Sequence, residues 1–72
     1  MTRNYLSGSI KKGLAIIECV GSSPKPLKAS QVSKITNLDR ATSFRILTYL
    51  TSLGYIFKDN SSNLYSLGHK IF

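Results

Sequence analysis

Apolar residues recur at helical spacing in three stretches of the chain and cluster with β-formers in two more, separated by residues that stop or turn a backbone. Ile10, Leu14, Ile17 and Val20 fall at helical spacing behind Ser9, whose hydroxyl suits an N-cap, and Gly21, Ser22, Ser23 and Pro24 end that helix. Ala29, Val32 and Ile35 give a second stripe, two turns long, over Ala29–Thr36. Asn37 follows, a residue that tolerates the left-handed conformation; then come Leu38 for the core and Asp39 to cap the positive end of another helix. The spacing predicts that third helix over Arg40–Leu53, with Gly54 just past its end. On a wheel of about 100° per residue, Ser43, Ile46, Leu47, Leu50 and Leu53 share one arc, while Ala41, Phe44, Arg45, Thr48 and Ser52 lie on or near the opposite side. Tyr55-Ile56-Phe57 and Leu64-Tyr65-Ser66-Leu67 flank the polar run from Lys58 to Asn63, which predicts a β-hairpin with an exposed tip, ended by Gly68.

That order makes the chain mainly α with a small β-hairpin: three helices plus a wing, a winged helix-turn-helix. Residues 1–8 read as a polar tail and 9–68 as the domain, with the helix-turn-helix at about 29–53 and the wing at about 55–67.

Composition narrows what such a domain does. At 72 residues only one domain fits, and a substrate cleft of a few hundred Å3 would hollow out most of its core, so binding is favoured over catalysis. Ten Lys and Arg against three Asp and Glu leave a formal charge of +7, which attracts nucleic acid first, then an anionic membrane surface or an acidic protein. The longest unbroken apolar run, Leu14 to Ile17, is far short of the roughly 20 residues of a membrane span, so no membrane association and a cytoplasmic location are expected. Cys19 stands alone among apolar neighbours and reads as a buried thiol in a reducing compartment; with His69 the only His, no zinc spacing and no nucleophile pair arises. No metal, cofactor or enzymatic activity is expected.

A recognition helix must carry small or hydrogen-bonding side chains, with Arg available for guanine or phosphate, if it is to enter a major groove about 12 Å wide. Arg40, Ala41, Thr42, Phe44, Arg45 and Thr48 meet that need, and no acid occurs between Arg40 and Lys58. Arg45 and Ala41 point furthest from the core on the wheel. Phe44 has open readings: contact with a thymine methyl, contact with the sugar-phosphate edge, or packing on the second helix. Thr42 reads equally as a contact or as a first-turn helix residue. Ser30 and Gln31 sit where this motif meets the phosphate backbone, or form a polar helix surface. Lys58, with Asn60 and Asn63 at the hairpin tip, suits a wing over a phosphate or a minor groove, against a merely solvated turn. The competing function is a winged helix used for protein contact, anchored by Phe44 and Tyr49.

The stretches "SIKKGLAIIECV", "PLKASQVSKITNLDRATSFRILTYLTSLGYI" and "YSLGHKIF" together resemble the N-terminal DNA-binding domain of IclR-type transcriptional regulators. The resemblance implies a bacterial or archaeal regulator that binds double-stranded DNA at a short palindromic operator as a homodimer, through the first helix and the N-terminal segment with Tyr5 and Leu6. It carries DNA-reading roles onto Arg40, Ala41, Thr42, Phe44 and Arg45, of which Thr42 and Arg45 match the family's commonest residues. The chain departs from the pattern at Lys28, where a Ser or Thr cap is usual, and at Asn37, where Gly is usual. Family members continue into a C-terminal domain that binds a small-molecule effector, so residues 69–72 read as the start of a linker and the chain as a fragment, with a free-standing reader as the alternative.

Overall fold

A computed structural model describes residues 8–70. The order is α1 (Gly8–Ser22), β1 (Leu27–Lys28), α2 (Ala29–Thr36), α3 (Arg40–Leu53), β2 (Ile56–Asp59) and β3 (Leu64–Leu67). The helices pack together, and the strands form an antiparallel sheet in the order β1-β3-β2, closed by a hairpin. The three helices and wing read from the sequence are therefore present.

The sheet has one strand more than expected. Leu27 and Lys28 pair with Tyr65 and Leu64, so β3 is the central strand and the chain entering α2 is tied to the wing. Two residues carry too little periodicity to announce a strand; only the partner makes them one. The hairpin strand β2 also runs further than expected, to Asp59, which puts Lys58 inside the ladder opposite Tyr65 rather than at the tip.

Ile16 and Val20 of α1, Leu27, Val32 of α2, Leu47 and Leu50 of α3, Ile56 and Tyr65 form the core. Two expected stripes need correction. On α1 the buried positions are Ile16 and Val20, whereas Ile10 and Leu14 are 51% and 49% exposed and Ile17 is half-buried. The helix carries apolar residues around a broad arc, and packing selects the edge that meets α2, α3 and β3. Ser9 lies within the first turn of α1, not at an N-cap. On α2, Ile35 is 63% exposed, because six residues is not a whole number of turns; the buried line is Val32 with Ser33, flanked by half-buried Ala29 and Thr36 at true helical spacing. Leu53 of α3 is likewise exposed. Tyr5 and Leu6, with the last two residues of the expected linker, lie outside the described residues. Cys19 is half-buried against the core, and burial pushes its thiol up from the usual range.

Ser43 is fully buried on the core side of α3, and its hydroxyl has no hydrogen-bond partner. An unpaired buried hydroxyl carries its desolvation penalty uncompensated, and Ala is the better helix former. Ser43→Ala is therefore expected to stabilise the domain by about 1 kcal/mol, raising the melting temperature by roughly 4–8 °C in a domain of this size. A thermal melt followed by circular dichroism checks it; an unchanged or lower midpoint would show that the hydroxyl is satisfied in solution.

Candidate nucleic-acid interface

The turn between α2 and α3 is built from three local devices. Asn37 takes the left-handed conformation at φ 60°, and its N–H donates to the Ser33 carbonyl. The Leu38 N–H donates to the same carbonyl at 3.2 Å, while the Ser33 hydroxyl donates back to the Leu38 carbonyl. Asp39 then caps α3, its carboxylate accepting the Thr42 N–H at 3.0 Å. Hydrogen bonds from the Thr42 side chain and backbone hold this carboxyl below its usual range. Because its folded value is depressed, the cap persists through the ordinary carboxylate range and is lost only as pH falls through that lower value. Asn37 thus does what Gly does elsewhere in such turns, since Asn is among the few residues with a side chain that adopt the left-handed conformation readily.

The entry to α2 is capped differently. Lys28 occupies the cap position, and an ammonium has no lone pair to offer the first-turn N–H groups. Gln31 supplies the reciprocal half of a capping box, its side-chain oxygen accepting the Lys28 N–H at 2.8 Å. Gln31 remains exposed, but its oxygen is committed to this link.

α3 presents an exposed crest and two shoulders. Ala41, Arg45 and Thr48 are exposed along the crest, opposite the buried Ser43, Leu47 and Leu50. On the wing side, Arg40 and Phe44 line a cleft with Ser30, Lys58 and Asn63. On the other side, Arg45 and Tyr49 line a groove against Ile10 and Gly13 of α1. Phe44 and Tyr49 therefore belong to different grooves and do not make one anchoring patch. Thr42 is half-buried and turned to Asp39, which gives it a capping role.

The wing is ordered by its own acid. Asp59 accepts hydrogen bonds from the Ser61 hydroxyl at 3.1 Å and the Ser62 hydroxyl at 2.9 Å, and its carbonyl accepts the N–H of Asn63, which sits at φ 60°. The Ser62 hydroxyl, followed by the Ser61 N–H and hydroxyl, holds the Asp59 carboxyl below its usual range. Asn60 is exposed at the tip. Lys58, by contrast, is half-buried in the strand ladder, one pair before the turn, its ammonium 6.0 Å from the centre of the Phe44 ring and 5.8 Å from that of Tyr65. Those distances are within reach of cation–π attraction. The rings therefore hold Lys58 toward α3.

Of the residues expected to meet a ligand, Ser30, Arg40, Phe44 and Lys58 come together in one cleft, Ala41, Thr48 and Arg45 follow the crest, and Asn60 stands apart at the tip. Sequence reasoning missed Lys28 and Ser62, which also line the cleft. Lys28 arrives there by pairing with Leu64 of β3, and Ser62 through the turn that it makes with Asp59. Among the described residues, no group of three His, Cys, Asp or Glu side chains is placed to hold a metal, and no helix is long and apolar enough to cross a membrane.

The family model for the IclR helix-turn-helix domain matches residues 9–60. Over 70 residues, 97% of the chain, the sequence is 33% identical to the p-hydroxybenzoate hydroxylase transcriptional activator of Acinetobacter baylyi, of which it covers 25%. An IclR family transcriptional regulator from Brucella abortus has the same fold with a TM-score of 0.86 at 26% identity, over 96% of this chain and 26% of that one. Pseudomonas aeruginosa HmgR shares the fold with a TM-score of 0.84 at 23% identity, over 90% of this chain and 27% of its own. The chain spans about a quarter of the length of these relatives.

Proposed function

The chain belongs to the IclR helix-turn-helix family, the DNA-binding domain of transcription regulators, and from that premise we propose that it reads a short palindromic operator as a homodimer. α3 enters the major groove and the wing rests on the flanking backbone or minor groove. The reading is carried by the crest of α3, where Ala41, Arg45 and Thr48 are exposed with the Arg40 and Phe44 shoulder beside them. A helix with its side chains is about 10–12 Å across and fits a groove about 12 Å wide, and a small residue such as Ala41 lets the backbone approach the base edges. Arg45 projects from the crest with donors suited to guanine O6 and N7, and Thr48 adds a hydroxyl and a methyl one turn on. Asn60 at the wing tip, and Ser30 and Gln31 at the start of α2, meet phosphates or sugars.

Dimer formation is supported by an apolar surface outside the core. Ile10 and Leu14 on α1 stand one turn apart, as do Tyr49 and Leu53 on α3, and all four are exposed. Such a patch on a small basic domain is suited to cover by a second copy. The family is one of regulators rather than enzymes. Effector binding belongs to a C-terminal domain of the whole protein.

Selection of bound sites from a random duplex pool tests the proposal. It should recover a palindrome, and enrichment of no sequence would overturn it. On the recovered operator, Arg45→Ala should weaken binding by about 1–3 kcal/mol and relax base preference at one position in each half-site. Affinities for every single-base variant check this; an even loss across all variants would make Arg45 a phosphate contact instead.

A further inference from the structure

The cleft between α2, α3 and the wing holds cations from different elements with no counter-charge. Arg40 from α3, Lys58 from β2 and Lys28 at the entry to α2 line it, together with Ser30 and Ser62, and no lining residue is a carboxylate. The two acids nearest in sequence do not line it and are engaged by hydrogen bonds: Asp39, beside Arg40, accepts the Thr42 N–H at 3.0 Å, and Asp59, beside Lys58, accepts the Ser62 hydroxyl at 2.9 Å. The first turn of α2, with no side-chain cap from Lys28, adds the positive end of a helix. Like charges so arranged repel one another until an anion enters. Lys58 is already held in place, between the Phe44 and Tyr65 rings at 6.0 and 5.8 Å, so little side-chain entropy remains to be lost on binding.

Resting on the DNA-binding reading above, we propose that this cleft seats one phosphodiester of the DNA backbone, held jointly by Arg40 from the recognition helix and Lys58 from the wing. Arg40 and Phe44 form the shoulder of the helix that enters the groove, so the strand bordering that groove passes over the cleft. Arg40 thereby positions the helix instead of reading a base, and the wing's basic contact lies in its strand ladder, not in its turn.

The test uses the recovered operator, remade with one uncharged methylphosphonate at each linkage in turn. For the native protein, one linkage in each half-site should cost about tenfold in affinity, the worth of a charge-assisted contact. Arg40→Gln and Lys58→Gln should each reduce that penalty to below about threefold at the same linkage, because the contact is already gone. Lys58→Arg, which keeps the charge, should retain it. So should Lys25→Gln, in a groove with Pro24 and Ser66 on another part of the surface. The shared seat is overturned if the two Gln variants act at different linkages, or if neither changes the pattern; the native protein still binds in both cases and the DNA reading stands. Failure of the native protein to bind any duplex overturns that reading and the seat together.

Discussion

Alanine at position 68 should cost the domain a large part of its stability, lowering the melting temperature by roughly 10–20 °C. Gly68 follows β3 and donates its N–H to the Tyr55 carbonyl at 2.8 Å, which brings its backbone flat against the end of α3. A Cβ there would lie 2.3 Å from the Gly54 carbonyl oxygen and 2.9 Å from its carbon. Neither atom belongs to a side chain that swings away. Gly54 is itself held at φ 91°, where its N–H closes the last turn of α3 onto Leu50 and Thr51. To make room, the chain must either pull the hairpin from the helix or break the helix cap. Overpacking commonly costs about 1–3 kcal/mol, against the roughly 5 kcal/mol at the low end of domain stability. Gly13→Ala is the internal comparison. Nothing lies within 4 Å of a Cβ at that helical position, so it should stabilise by about 0.5–1 kcal/mol. Thermal melts of the two variants should move in opposite directions, and a Gly68→Ala midpoint within a few degrees of the native one would refute the clash.

Binding to the operator should fall steeply with salt. If Arg40 and Lys58 on their shared phosphate and Arg45 in the groove each bring one positive charge to the DNA in each half of a dimer, about six counterions leave, and the slope of log K against log salt is near −5. Affinity then drops about a thousandfold between 50 and 200 mM salt. The expectation follows from how this protein disposes its charge: its three acids do not line the basic cleft, and Asp39 and Asp59 are spoken for by a helix cap and a turn. No internal ion pairs have to be broken at that cleft before phosphates bind. Fluorescence anisotropy on labelled duplex over that salt range gives the slope, and one shallower than about −2 would reject phosphate contact as the main source of affinity.

Most of the fold is legible in the sequence where a residue acts on neighbours three or four positions away. Asn37, Asp39 and Gly54 each terminate or begin a helix by hydrogen bonds to nearby backbone, and the structure places each in that role. The exposed crest of α3 is legible for the same reason, since helical geometry alone opposes Arg45 to Leu47 and Leu50. The site was less legible. Lys58 sits beside a turn-forming run and so reads as a tip residue, but pairing opposite Tyr65 keeps it in the ladder and under Phe44.

What the sequence by itself determined, then, is the order of the three helices and the hairpin, the points where α2 and α3 start and stop, and a strongly basic domain with an unopposed helix face. These depend on local backbone chemistry and on composition. Only the tertiary structure decided which edge of α1 meets the core, made Leu27–Lys28 a strand, and brought Arg40 and Lys58 into one cleft. Each of those depends on partners distant along the chain, and periodicity carries no information about which partner a face or a strand edge will find.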